Sequence, residues 1–425
     1  MSEAAPPAPL PQSKPLSRHQ WFVLIAAFLG WMFDGLEMGL FPIAARPALQ
    51  DLLQITDDAT IGMWNGRLVA AFLFGAAAGG LLFGWLGDRI GRVRTMALSI
   101  AAYALFTGCC YFATHPWQLG VFRFCAALGM GGEWSLGVAL VMECWPEKLR
   151  PLLAGIIGAA ANFGFLGIAL LGMFFKVTPD SWRWIMLAGA VPGVLAVFII
   201  LFIPESERWK DSVKAGASKP IREIFTTSLI WPTLLAICFA SIPLIATWGG
   251  VSGFLPLWAD QLAGPQNPYA KGTTQVIISI GAILGCIVAP VIGGKIGRRP
   301  VYFGLCLFSL VICQLLFRQW WEQHGYGPLF LTVTGVAGCL TAAFYGWLPL
   351  YLPELFPTRV RATGQGLSFN FGRILAAFGA MTTGQMMGFF EGSYPRACSA
   401  ITTVYIVGLV LIWLAPETKG KPLPE

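Results

Sequence analysis

Long apolar stretches alternate with short polar segments along the whole of this chain. Each stretch has about the 20 residues that an α-helix needs to cross the hydrocarbon core of a membrane. The stretches also lack the polar face that a helix of a water-soluble bundle presents. We therefore predict an all-α membrane protein with twelve transmembrane helices. Their approximate spans are 21–42, 64–84, 95–114, 118–141, 151–175, 182–203, 229–259, 273–293, 301–317, 328–352, 362–390 and 396–414.

The overall composition excludes an ordinary soluble domain. Of the 425 residues, 56% are hydrophobic and only 12% are charged, whereas charged residues make up about a quarter of a typical soluble domain. With both termini placed in the cytoplasm, most of the 28 Lys and Arg residues fall in cytoplasmic loops and tails, which agrees with the positive-inside rule. The net charge of +7 therefore reflects topology, and we expect a lipid bilayer and no nucleic acid as a partner.

Three short motifs occur twice, in the same order and about 210 residues apart, as copies do in transporters built from parallel repeats. They are GWLGDRIGRVR at 84–94 and PVIGGKIGRRP at 290–300, ECWPEKLR at 143–150 and ELFPTRVR at 354–361, and PESE at 204–207 and PETK at 416–419. The duplication predicts two homologous bundles of six helices each.

These repeats divide the chain into five parts. We predict a disordered cytoplasmic tail at 1–17, a six-helix bundle at 18–203, a cytoplasmic linker at 204–228, a second bundle at 229–415 and a tail at 416–425. No segment between the spans is long enough for a soluble enzyme domain. The chain also has no G-x-x-x-x-G-K-[ST] nucleotide motif and no metal-ligand spacing among its ten Cys and three His. We expect no enzyme, no cofactor and no metal site.

The three motif pairs together resemble the major facilitator superfamily. The resemblance implies two six-helix bundles around a central cavity, with helices 1, 4, 7 and 10 lining it, and alternating access by rocking of the bundles. Residues 123–150 are similar to proton-coupled organic-acid symporters of the sialate and lactate type, and their GGEW is similar to metabolite–proton symporters. FDGLE at 33–37 resembles the DG-x-D of aromatic-acid and sialate symporters, with Glu37 replacing the second Asp.

Five Asp, Glu and Arg residues lie in the interior of predicted spans, away from the span ends, where each costs about 2.5–3.5 kcal/mol on insertion scales and marks a candidate functional site. They are Asp34, Glu37, Arg123, Glu133 and Arg373. Asp34 and Glu37 share one face of the first helix because they are three residues apart. Two carboxylates this close cannot both stay ionised cheaply in a poorly hydrated cavity. We predict proton coupling at this pair, with a polar pair that bonds a neighbouring helix as the alternative.

Arg123 and Glu133 lie on the fourth helix, about 15 Å apart along its axis. Arg123 can pair with Glu37 or Asp34, either as part of the coupling and anion capture or as a fixed structural ion pair. Glu133 is either a second proton site or a polar clamp between helices.

Arg373 and two amide residues, together with Arg123, form the predicted substrate site. Arg373 presents a planar fork that suits a carboxylate, and Asn370 shares its helix face. Asn162 is the one strong amide of the fifth helix. The alternative for Arg373 is an internal ion pair with a carboxylate of the other bundle.

We expect the repeated motifs to form gates at the cytoplasmic helix ends. Asp88 can reach a neighbouring helix N-terminus or an arginine and so latch one state, whereas Gly294 occupies its position in the second copy. Glu143 with Arg150, and Glu354 with Arg361, are expected to form ion-pair clusters. The full set of candidate gate residues is Asp88, Arg89, Arg92, Glu143, Arg150, Glu354 and Arg361.

The sequence thus favours a secondary active transporter that imports a small organic anion with protons, acting as a monomer in a bacterial inner membrane. The alternatives are a proton-coupled sugar or polyol symporter, an exporter and a solute sensor that does not transport.

Overall fold

The computed structural model describes residues 17–175, 177–214, 219–318, 320–381 and 389–425. Within these ranges all regular secondary structure is helical, which confirms the all-α prediction. The predicted N-terminal tail, apart from Ser17, lies outside the described residues. Ser17 caps the first helix, because its hydroxyl accepts from the Gln20 backbone N–H and the Gln20 side chain accepts from the Ser17 N–H.

The long helices are labelled in chain order. They are α1 Arg18–Leu53, α2 Asp58–Ile90, α3 Arg92–Cys109, α4 Pro116–Cys144, α5 Arg150–Phe174, α6 Trp182–Phe202, α7 Ile230–Ala263, α8 Ala270–Ile296, α9 Arg298–Leu316, α10 Pro328–Leu355, α11 Arg361–Met381 and α12 Tyr394–Leu414. α7 contains a π-helical segment, Leu244–Ser252. Two short helices, Glu207–Lys214 and Pro220–Glu223, lie between α6 and α7.

Eleven helices of the described chain are long and apolar enough to cross a membrane, and each coincides with a predicted span. The remaining predicted span, 362–390, coincides with α11 over its first part, but 382–388 lie outside the described residues. Several helices extend well beyond their apolar stretch. α1 has 36 residues and is therefore about 54 Å long. Its backbone hydrogen bonding continues past the end of the apolar stretch.

The two halves of the chain meet along two seams, one between α2 and α11 and one between α5 and both α8 and α10. Aromatic side chains fill the centre of the molecule between them. The Trp134 ring of α4 stacks on the Phe369 ring of α11 with centroids 3.9 Å apart, and the Trp31 ring of α1 meets Phe369 edge-on at 5.8 Å. All three are buried, so the halves are tightly closed at this level.

One end of the molecule carries both chain termini of the described structure, and we name it the terminal end. Gln20 at the start of α1 donates to the Cys144 carbonyl at the end of α4. Trp209, in the segment between the halves, donates its indole N–H to the Asp88 carbonyl at 3.0 Å. Near the C-terminus, Leu423 is buried and the Pro424 carbonyl accepts from Arg361 at 2.7 Å. Both polar segments therefore pack onto the helix ends.

Candidate functional site

The five charged residues predicted inside the spans are all buried, none more than 4% exposed. The structure separates four of them into two pairs within the first half. Arg123 forms an ion pair with Glu37. Its guanidinium also lies 4.3 Å from the ring centroids of both Phe41 and Phe72. Arg123 is therefore held between α1, α2 and α4, inside the first bundle.

The second pair consists of Asp34 on α1 and Glu133 on α4, two buried carboxyl groups at the contact between these helices. Neither carboxylate finds a donor among the described residues, so a hydrogen bond between them requires that one be protonated. Gly30 makes the approach possible, because a Cβ at this position would lie 1.7 Å from Glu133 Oε1.

Arg373 lies on α11, in the second half. Its Nη1 is buried without a hydrogen-bond partner in the described part of the chain. The guanidinium lies 5.8 Å from the Phe369 ring centroid. Phe369 also packs on Trp31, three residues before Asp34, and on Trp134, next to Glu133, so Arg373 lies beside the aromatic contact that carries the two carboxyls of the first half.

The two predicted amide ligands lie at the seams rather than beside an open space. Asn370 donates to the carbonyls of Gly131 and Gly366, both at 2.9 Å, while its Oδ1 is buried without a partner among the described residues. Asn162 is half-buried, and its amide lies 3.6 Å from the Cys286 sulfur of α8. Their first role in this conformation is to join helices.

At the terminal end, Asp88 of α2 binds both kinds of partner that the sequence suggests. It accepts from Arg92 at 2.5 Å and from the backbone N–H groups of Ala362 and Thr363 at 3.2 and 2.8 Å. These two amides belong to the first turn of α11, where the helix dipole favours a negative charge. Asp88 therefore links the two halves.

Glu143 makes a second link between the halves. It accepts from Arg92 at 3.3 Å and from Arg361 of the other half at 2.9 Å, and the Ser206 hydroxyl donates to it at 2.6 Å. We name Asp88, Arg92, Glu143 and Arg361 the gate cluster. All four side chains of this cluster are completely buried.

The second copy of the motifs forms different contacts. Glu354 accepts two hydrogen bonds from Arg298 at 2.6 and 3.0 Å, and Arg150 pairs with Glu147 at 3.0 Å. The predicted pairing of Glu143 with Arg150, and of Glu354 with Arg361, is wrong, because Glu143 is occupied by Arg92 and Arg361 and Glu354 by Arg298. Arg89 is exposed and lies over the Trp85 ring at 5.1 Å, outside the gate cluster.

The latch at Asp88 has no counterpart in the second copy. Gly294 packs against Pro151 at the start of α5, where a Cβ would lie 2.8 Å from Pro151 Cγ. Pro151 occupies the position of Ala362 in the repeat and has no N–H to donate. The second copy therefore lacks both the carboxylate and one of its amide donors.

The PESE and PETK motifs cap helices. Glu205 accepts from the backbone N–H groups of Arg92 and Val93 at 2.9 and 3.1 Å, and Glu417 accepts from those of Arg298 and Arg299 at 3.0 and 3.1 Å. Gly91 and Gly297, at φ +112° and +122°, turn the chain into these helices. Sequence reasoning missed this capping role, although a Pro-Glu repeated after each Ile-Gly-Arg turn was its signal.

The comparisons with known proteins agree with this architecture. Residues 21–381 match the family model described as Major Facilitator Superfamily. The chain is 29% identical to the cis,cis-muconate transport protein of Acinetobacter baylyi, covering 88% of this chain and 89% of that protein. It is 27% identical to the sialic acid transporter NanX of Escherichia coli, covering 94% of each. Among solved structures, the proton:xylose symporter XylE has a TM-score of 0.77 at 17% identity, covering 95% of this chain and 98% of that one.

Proposed function

The chain belongs to the Major Facilitator Superfamily, and from this premise we propose that it imports a small organic anion together with protons by alternating access. In this proposal α11 also spans the membrane and so completes a set of twelve transmembrane helices. The terminal end faces the cytoplasm of a bacterial cell. The protein acts as a monomer in the inner membrane and catalyses no covalent step.

The observation that carries the proposal is that buried Arg373 packs on Phe369, whose ring contacts Trp31 and Trp134 beside the buried Asp34 and Glu133 of the other half. While Asp34 is ionised, it neutralises Arg373 and the site has no free cation for a substrate. When Asp34 takes up a proton, Arg373 loses its counter-ion, and the carboxylate of a substrate can replace it in a bidentate contact. Proton binding thus favours anion binding, which is the relation that symport requires.

The gate cluster supports the second part of the proposal, a state closed on the cytoplasmic side. Opening this side requires the first turn of α11 to leave Asp88 and Arg361 to leave Glu143. Substrate and proton bound at the centre would then be released inward as the halves rock.

A sugar or polyol symporter is the second candidate, because the fold is like that of a xylose symporter. We favour the anion because a neutral sugar gives Arg373 no counter-ion once Asp34 is protonated. The named substrates of two relatives, cis,cis-muconate and sialic acid, are acids.

The experiment is uptake into proteoliposomes under an inward proton gradient, with cis,cis-muconate, sialic acid, lactate and xylose as probes. We expect at least one acid to accumulate and to carry protons inward with it. Asp34→Asn should keep exchange of that acid across the membrane but lose gradient-driven accumulation, because a permanent amide neutralises the site without binding a proton. Accumulation of xylose alone would reject the anion proposal.

A further inference from the structure

Arg361, the gate-cluster arginine of the second half, divides its guanidinium among three acceptors. Its Nη1 donates to Glu143 of the first half at 2.9 Å, its Nη2 to the Pro424 carbonyl at 2.7 Å and its Nε to the Pro353 carbonyl at 3.3 Å. A guanidinium is planar and rigid, so hydrogen bonds on two of its nitrogens fix the direction of the third. Two carbonyls of the second half therefore determine where the N–H group that crosses to Glu143 points.

The Pro424 carbonyl belongs to residues 421–425, which we name the strap. The chain turns into the strap at Gly420, whose φ of +75° suits glycine. Leu423 is buried, with 3% of its surface exposed, whereas Lys421 is exposed. Leu423 is therefore the apolar anchor that keeps the neighbouring carbonyl against the guanidinium.

A second hydrogen bond joins the strap to the gate cluster. The hydroxyl of Thr358, in the turn that precedes α11, donates to the same Pro424 carbonyl at 3.3 Å. Thr358 is buried, and its own carbonyl accepts from Arg92 Nη2 at 2.7 Å. The strap therefore contacts both arginines of the gate cluster, Arg361 directly and Arg92 through Thr358.

We propose that the strap is a positioning segment of the gate, which holds Arg361 in the orientation that reaches Glu143 and so stabilises the closed terminal end. The inference rests on the part of the proposed function in which this end opens and closes. Without the strap, Arg361 keeps its charge but loses the acceptor at Nη2, and its side chain regains rotamers that do not meet Glu143. Release of the strap should therefore favour the open terminal end.

The test replaces Leu423, because the charged side chain in Leu423→Asp cannot stay buried without a partner and the strap then leaves Arg361. Spin labels at Arg94→Cys and Lys295→Cys, exposed positions near the terminal ends of α3 and α8, measure the separation of the halves in the full-length protein. We expect the ratio of open to closed distances to rise at least about fivefold, as for the loss of a hydrogen bond to a charged group. Lys421→Asp is the matched control, because it places the same side chain at an exposed position of the strap. It should keep the wild-type ratio.

A second background separates positioning from a general packing role. Arg361→Met removes the guanidinium, so adding Leu423→Asp to it should change the ratio by less than about twofold. Adding Asp88→Asn to Arg361→Met should still raise the ratio, which shows that the terminal end is not already fully open. An equal effect of Leu423→Asp with and without Arg361, or an unchanged ratio at a lowered unfolding temperature, would overturn the proposal. A single label distance in the wild type and in every variant, Asp88→Asn included, would instead reject the opening of the terminal end in the proposed function.

Discussion

At the scale of single residues, the identity of Arg373 matters as much as its charge. Its guanidinium is a buried cation of the second half, with Nη1 unpartnered in the described structure. A lysine would keep the positive charge but lose the planar fork that binds a carboxylate through two hydrogen bonds. The expected effect is therefore on substrate affinity, with the fold preserved.

We predict that Arg373→Lys weakens binding of the transported acid at least tenfold, about 1.4 kcal/mol, and that Arg373→Ala abolishes it. Binding is measured by calorimetry on the purified protein at a fixed pH. Arg89→Lys serves as the control, because Arg89 is exposed over Trp85 and away from the centre. Wild-type affinity in Arg373→Lys would show that the acid is held by other groups.

At the scale of helices, Glu205 and Glu417 cap equivalent helices in different surroundings. Burial raises the pKa of Glu205 despite its backbone hydrogen bonds from Ser206, Val93 and Arg92. Burial also acts to raise the pKa of Glu417, but the backbone N–H groups of Arg298, Arg299 and neighbouring residues outweigh it and lower that pKa. Folding therefore favours the ionised form of Glu417 and disfavours the ionised form of Glu205.

These shifts in pKa predict that the two glutamates change folding stability in opposite directions as pH falls. An ionised Glu417 stabilises the fold above its ordinary pKa, and this stability is lost as pH falls through the lowered value. For Glu205 the protonated form is favoured on folding, so stability is gained as pH falls through the raised value. Glu417→Gln should destabilise by about 1 kcal/mol at neutral pH, with the deficit shrinking in acid, whereas the deficit of Glu205→Gln should grow. Unfolding temperatures in detergent at neutral and acidic pH test this, and equal trends would contradict it.

The sequence predicts the helices well and their contacts only in part. Apolar stretches locate eleven spans because the hydrocarbon core sets their length, and the repeats indicate the two halves. Partner choice is different in kind. Asp88 binds Thr363, and Glu143 binds Arg361, across the boundary between the halves. No local sequence pattern encodes which of several arginines pairs with a given glutamate.

At the scale of the whole molecule, the two halves are related by sequence but joined by a one-sided latch. α2 holds α11 through Asp88, while α8 meets α5 through Gly294 and Pro151, which form van der Waals contact alone. The gate cluster adds the Glu143–Arg361 ion pair on the same side as the latch. Charge-assisted hydrogen bonds of this kind contribute about 1.5–3 kcal/mol each, so the closed terminal end depends mainly on the contacts of α2 and α4 with α11.

We predict that Asp88→Asn shifts the population towards a state open at the terminal end by at least tenfold, since losing one such bond exceeds about 1.4 kcal/mol. Spin labels introduced by Arg94→Cys and Lys295→Cys, at exposed sites near the terminal ends of α3 and α8, measure the separation of the halves in a background without the partly exposed native cysteines. Ala362→Pro, which copies the second repeat and removes only the weaker amide at 3.2 Å, should shift the distances in the same direction but less. Proline is tolerated in the first turn of a helix, so this variant isolates the latch from the folding of α11. If Asp88→Asn leaves the label distances of the wild type unchanged, the Asp88 contacts do not hold the two halves together.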